Sequence, residues 1–181
     1  MLFRSPEAVL GFVASLPADT DVALVAFDAS ARLVAPLGAP AAIDLPIMDR
    51  LDYRGQLTDP ATAVERALYT LREDGPGAGD DAIVLLTDGV VDLGSPAASL
   101  RAEDWLLGPR LDQLREREIG VWAVALTEAA DFRLLSQLTA ATGGRYFRAL
   151  AASDVDRAME RIGSGIAAST EDAPAGTVDA P

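Results

Sequence analysis

The stretch IVLLTDGVVD, residues 83–92, decides how this chain is read. Ile83 to Thr87 carry no charge and suit a strand covered on both faces, as in a parallel sheet, better than one with a wet face. The run stops at Asp88-Gly89, where Gly89 lets the chain turn at once. A carboxylate ending a buried strand needs a cation, hydrogen-bond donors or water. Two readings of Asp88 stay open: a brace for the following loop, since Asp-Gly is a common turn pair, or an oxygen ligand at the sheet's end.

Working outward, Asp21–Phe27 and GVWAVAL, 120–126, are further apolar strands, and RYFRAL, 145–150, is a fourth. Ala31–Leu37 follows a turn around Asp28–Ser30 as an antiparallel hairpin partner. Helical spacing of Ala8, Val9, Phe12, Val13 and Leu16 predicts a helix from Ser5 to Leu16. A short helix is expected near Ile47–Leu51, and a longer one after Asp59-Pro60 to about Glu73. A loop, Val90–Asp104, leads to a helix from about Trp105 or Pro109 to Glu118. The next runs from Asp131, its cap, to Thr142 and closes at Gly143-Gly144. A last helix is capped by Ser153 and ends near Gly163.

Strands alternating with helices, over crossovers longer than a dozen residues, predict an α/β fold. The sheet is doubly wound and mostly parallel, with one antiparallel edge strand and helices on both faces. One domain covers 1–165, and the small, polar, Pro-rich segment 166–181 is read as a disordered tail.

Composition narrows the function. The 181 residues hold 15 basic and 28 acidic side chains, a net charge of −13. Such a surface repels phosphate backbones and anionic lipid, which argues against nucleic-acid and membrane-surface binding. Cysteine and histidine are absent, which removes disulfides, soft or imidazole metal ligands and Ser–His nucleophiles. Any metal is therefore hard and oxygen-bound: magnesium, manganese or calcium. A magnesium-dependent hydrolase or phosphoryl-transfer domain built on Asp88 is the enzymatic alternative. It is disfavoured by the lack of any lysine and of a Walker-type loop. No apolar run reaches the ~20 residues of a membrane span, and no signal peptide is evident. The chain as written is expected in the cytoplasm. It would be extracytoplasmic or membrane-tethered if the true N-terminus lies upstream.

Ligands of doubly wound sheets sit outside the carboxyl ends of the strands. Two polar clusters fall there, Thr87-Asp88-Gly89 and Gln56-Leu57-Thr58-Asp59. Thr58 and Asp88 are expected to face one another as oxygen ligands of the few-ligand kind that magnesium accepts. Asp59 is either the helix cap or a supporting ligand. Asp92 is either a second carboxylate or a solvated loop residue. Arg54 could pair with Asp59 or Asp88, which would weaken a metal site. The loop Val90–Asp104 is a candidate partner surface or an insertion. Trp122 belongs to the core, and Trp105 is expected to pack over the sheet.

These segments, in order, resemble a von Willebrand factor A domain of the bacterial type: DVALVAFDASARLVAPL, RGQLTDPATAVERAL, DDAIVLLTDGVVD and GVWAVALTEAADFRLLSQLTAATGGRYFRA, then the last capped helix. The resemblance covers about Ser5 to Ile162. It implies a doubly wound sheet and a non-enzymatic, adhesion-type protein-binding module with a metal-ion-dependent adhesion site (MIDAS), in which an acidic residue of the partner completes a divalent cation. Thr58 matches the family's second-motif Thr and Asp88 its third-motif Asp. The first motif, Asp-x-Ser-x-Ser, is absent, and so is the central strand that precedes it. Magnesium binding is therefore expected to be weak or absent, which leaves a truncated scaffold as the alternative. The strands at 22–27 and 82–87 should pair with one another or leave a strand-wide gap. Open edges there invite strand addition or self-association.

Overall fold

The computed structural model describes residues 5–43, 57–74 and 81–171. The helix expected near 47–51, together with Arg54, Gln56 and the tail beyond 171, lies outside them. Chain order runs α1 (Ser5–Ser15), β1 (Val22–Phe27), β2 (Ala31–Gly38), a 3-10 turn (Pro40–Ala42), α2 (Pro60–Asp74) and β3 (Ala82–Thr87). It continues with α3 (Pro96–Trp105), a π turn (Leu106–Arg110), α4 (Leu111–Glu116), β4 (Gly120–Ala125), α5 (Phe132–Ala141), β5 (Tyr146–Arg148) and α6 (Ala152–Glu171).

The expected α/β class holds. β4 lies between β3 and β5 in a parallel sheet, registered Ala82↔Gly120 through Thr87↔Ala125 with β3. Its alternating side chains feed two cores. Val121 and Ala123 join Val64, Leu85, Leu106 and Leu134 on one face, and Trp122 and Val124 join Ala158, Met159 and Ile162 on the other. Trp122 is thus core, as its strand pattern predicts. α1 packs on α6 at Gly163, where an added Cβ would lie 3.7 Å from the Phe12 ring. The expected closure of α5 is also present. Asp131 accepts from the Leu134 N–H at 3.0 Å, and Gly143 takes φ +77°.

The sheet does not continue through β1. β1 pairs only with β2, antiparallel, and the pair forms a separate two-stranded sheet among the described residues. Of the two arrangements expected for 22–27 and 82–87, the unpaired one is observed.

Other expectations are corrected. Val90–Asp104 is not one long loop: Ser95 has extended backbone, accepts from the Ala98 N–H at 3.3 Å and starts α3 at Pro96. The cap-then-proline pair of Asp59-Pro60 recurs here as Ser95-Pro96. Trp105 therefore ends a helix instead of starting one. It is 47 % exposed, with the Arg110 guanidinium 4.8 Å above its ring, so it does not pack over the sheet. Gly108, with φ −103° and ψ −105°, kinks the path into α4. α6 starts at Ala152, so Ser153 lies inside it; the Asp154 carboxylate instead accepts from the Ala151 N–H at 3.1 Å. The helix reaches Glu171, past the expected end near Gly163. No described helix is long and apolar enough to cross a membrane.

Candidate functional site

The strand ends meet at a corner organised by backbone hydrogen bonds. Thr58 and Asp92 form an antiparallel bridge: the Thr58 N–H donates to the Asp92 carbonyl at 2.8 Å and the Asp92 N–H to the Thr58 carbonyl at 3.0 Å. Next to it the Asp59 N–H donates to the Asp28 carbonyl at 2.7 Å, which ties the end of β1 to the start of α2. The Thr58 hydroxyl oxygen lies 3.5 Å from where a Cβ on Gly89 would sit. Thr58 and the Asp88-Gly89 turn therefore share one corner.

The carboxylates there play different parts. Asp59 is buried and caps α2: its Oδ1 accepts from the N–H groups of Ala61 at 3.0 Å and Thr62 at 3.2 Å, while Oδ2 accepts from the Thr62 hydroxyl. The capping reading of Asp59 accounts for both of its oxygens. Asp92 Oδ1 closes a local turn by accepting from the Gly94 N–H at 2.8 Å, where Gly94 has φ +76°. Asp88 was expected at the end of a buried strand, but Thr87 is the last buried residue and Asp88 is exposed. Its carbonyl accepts from the Thr127 hydroxyl. Its carboxylate has no partner among the described residues. Water solvates it, so no buried charge demands a cation. On the β1 side, Asp28 accepts from the Ser30 N–H at 2.8 Å and the Ser30 hydroxyl at 3.0 Å. Those bonds, helped by Arg32, hold its carboxyl below the usual aspartate value.

As a metal centre the corner is sparse. Thr58 and Asp88 offer two side chains not committed to a cap or turn, and no cluster of three or more acidic side chains that could hold an ion occurs among the described residues. A bare magnesium ion dehydrates reluctantly and gains little from such a set. The donors present do not by themselves fit a tight site.

Beside the corner lies a cleft of ≈ 570 Å³ between α2 and α3, lined by Asp59, Glu65, Leu93, Arg101, Asp104 and Trp105. Arg110 spans its far side, pairing with Glu65 and stacking on Trp105. Reading residues 90–104 as loop concealed this cleft, because it exists only once α3 is recognised. The Ser95-Pro96 pair was the available signal.

No protein-family model and no curated protein matches the chain. Solved structures do. The chain is similar to von Willebrand factor type A from Catenulispora acidiphila, with TM-score 0.69 and 19% identity over 90% of this chain and 37% of that one. It is similar to BatB from Bacteroides thetaiotaomicron, with TM-score 0.64 and 16% identity over 93% of this chain and 87% of that one. Proximal thread matrix protein 1 of the mussel byssus, solved with a zinc-occupied MIDAS motif, gives TM-score 0.66 and 14% identity over 89% of this chain and 41% of that one. The chain thus spans well under half of the first and third of these proteins. In the arrangement of its helices and strands, it has the fold of a von Willebrand factor type A domain.

Proposed function

We propose that the chain is a non-enzymatic protein-binding module whose partner docks over the strand ends around Thr58 and Asp88. The observation that carries this reading is an exposed carboxylate without a partner among the described residues, on the same turn that meets the Thr58 hydroxyl. A partner's basic group, or a cation shared with a partner's carboxylate, would find its ligand there. The fold lends support, since the mussel thread protein has a metal-occupied MIDAS motif on it. Any magnesium or manganese at this corner is held weakly, because Asp59 spends both oxygens on capping α2 and Asp92 spends its Oδ1 on the Gly94 N–H. The same two commitments favour the second reading, a scaffold that binds its partner without metal.

Calorimetric titration of the purified chain with magnesium and with manganese, alongside Asp88→Ala, separates the two. The metal reading expects weak saturable binding that Asp88→Ala abolishes. Silence in both proteins leaves the scaffold. Hydrolysis of a small phosphoester that Asp88→Asn abolishes would overturn the non-enzymatic reading altogether.

A further inference from the structure

Asp88 is followed by a glycine, and the chemistry open to that pair differs from that of the other aspartates at the corner. The backbone nitrogen of the next residue can attack an aspartate's side-chain carbon and close a five-membered imide ring. Ring closure needs a side chain free to swing and a backbone N–H outside any strong hydrogen bond. It also needs little bulk on the attacking residue.

Asp88 meets all three conditions. It is exposed, and its carboxylate has no partner among the described residues. The Gly89 N–H reaches only the Thr87 hydroxyl oxygen, at 3.4 Å, longer than an ordinary N–H···O bond. Gly89 has no Cβ, yet the fold does not demand a glycine there. Its φ lies outside the left-handed region, and an added Cβ would make an ordinary contact, 3.5 Å from the Thr58 hydroxyl oxygen.

The neighbouring aspartates each fail a condition. Asp59 precedes Pro60, whose nitrogen has no proton to give up, and both of its oxygens cap α2. Asp92 accepts from the Gly94 N–H at 2.8 Å, and the nitrogen that would attack it, on Leu93, donates to the Ser99 hydroxyl oxygen at 3.0 Å. Asp28 is held by the Ser30 N–H and hydroxyl.

We propose that Asp88 is a site of spontaneous isomerisation to isoaspartate. The Gly89 nitrogen bonds to the Asp88 side-chain carbon and gives up its proton, and a carboxyl oxygen departs as water. Water then adds to the ring and opens it on one side or the other. Opening at the original main-chain carbonyl leaves the chain running through the side-chain carbon, with that carbonyl now a free carboxylate. One water leaves and one returns, no oxidant or reductant takes part, and mass and charge end unchanged. The main chain has grown by one carbon, and the carbonyl that accepted from the Thr127 hydroxyl has become carboxylate. The turn beside Thr58 is thereby rebuilt. That this also ends partner binding rests on the function proposed above.

The test keeps the purified full chain in mildly acidic buffer beside the same chain unfolded in urea. The peptide containing Asp88 is then read by electron-transfer fragmentation, which marks isoaspartate by a break at the extra main-chain carbon. Folded chain should react at Asp88 within about tenfold of the unfolded rate, since an exposed turn needs no costly opening. In the folded chain Asp92 should lag Asp88 by about tenfold or more, because its hydrogen bonds and the bulk of Leu93 raise the barrier. Gly89→Ala, checked by an unchanged melt, should slow Asp88 by about tenfold, because the new Cβ crowds ring closure. Slowing of Asp88 by folding beyond that margin would overturn the proposal, as would equal isoaspartate at Asp92 or a Gly89→Ala chain that reacts as fast as the parent. None of these readings involves a partner or a metal, so they stand or fall apart from the proposed function.

Discussion

β4 and β1 are both six-residue, almost wholly apolar strands, yet they end in opposite conditions. Val121 to Ala125 of β4 are all buried, and both edges of the strand are paired. Every residue of β1 is half-buried, and one edge has no partner strand among the described residues. The difference does not lie in the strands' own residues. Uniform apolarity reports that both faces of a strand are covered; it says nothing about how many neighbours lie along its edges.

The largest expected effect attacks the well-packed side. A Cβ at Gly144 would lie 1.9 Å from the Val121 carbonyl oxygen, backbone against backbone. Gly144→Ala should therefore cost about 3 kcal/mol or more in denaturant melts. A loss under about 1 kcal/mol would mean that the turn from α5 into β5 does not approach β4 as described.

A matched pair sharpens the contrast directly. Val124 is wholly buried and Val25 half-buried. Val124→Ala should lose about 2 kcal/mol and Val25→Ala less than about 1. Equal losses would show that β1 is covered in solution as fully as β4.

At the strand-end corner the contrast lies between two aspartates. Asp59→Ala removes an N-cap and should cost about 1–2 kcal/mol, whereas Asp88→Ala, at an exposed side chain, should change stability by no more than about 0.5 kcal/mol. A large loss at Asp88 would mean that its carboxylate braces the fold instead of standing free for a ligand.

The smallest effect is a pH dependence on the β5 side. Burial raises the Tyr146 phenol above its ordinary value of 10.0, against a smaller opposing pull from Arg148. The neutral phenol is the form the fold favours. That contribution is complete below the unfolded value and fades as pH climbs through the folded one. Alkaline titration of stability should show a component above pH 10 that Tyr146→Phe lacks. A Tyr146→Phe profile identical to the parent's would place the ring in solvent.

The fold was legible because its signals are local. Apolar runs marked β1, β3 and β4, and Asp131 and Gly143 marked the ends of α5. Asp59 before Pro60 located α2, yet the same grammar at Ser95-Pro96 was hidden by the polar, alanine-rich residues that follow. The site was less legible. That Thr58 and Asp88 lie near one another follows from topology, but the exposure of Asp88 depends on where burial stops, one residue earlier at Thr87. The tasks of Asp59 and Asp92 depend on backbone N–H groups that no spacing rule displays. Whether β1 pairs with β3 stayed open between two alternatives even with a resemblance, since pairing between strands distant in sequence leaves no mark on either one.

The Thr58–Asp92 bridge has a mechanical consequence. It fastens the lead-in to α2 to the lead-in to α3, while Arg110 fastens the far side of the same cleft through Glu65 and Trp105. A crevice riveted at both ends resists changes in width, so a guest would be sorted by the shape already cut for it and would lose little in remodelling its host.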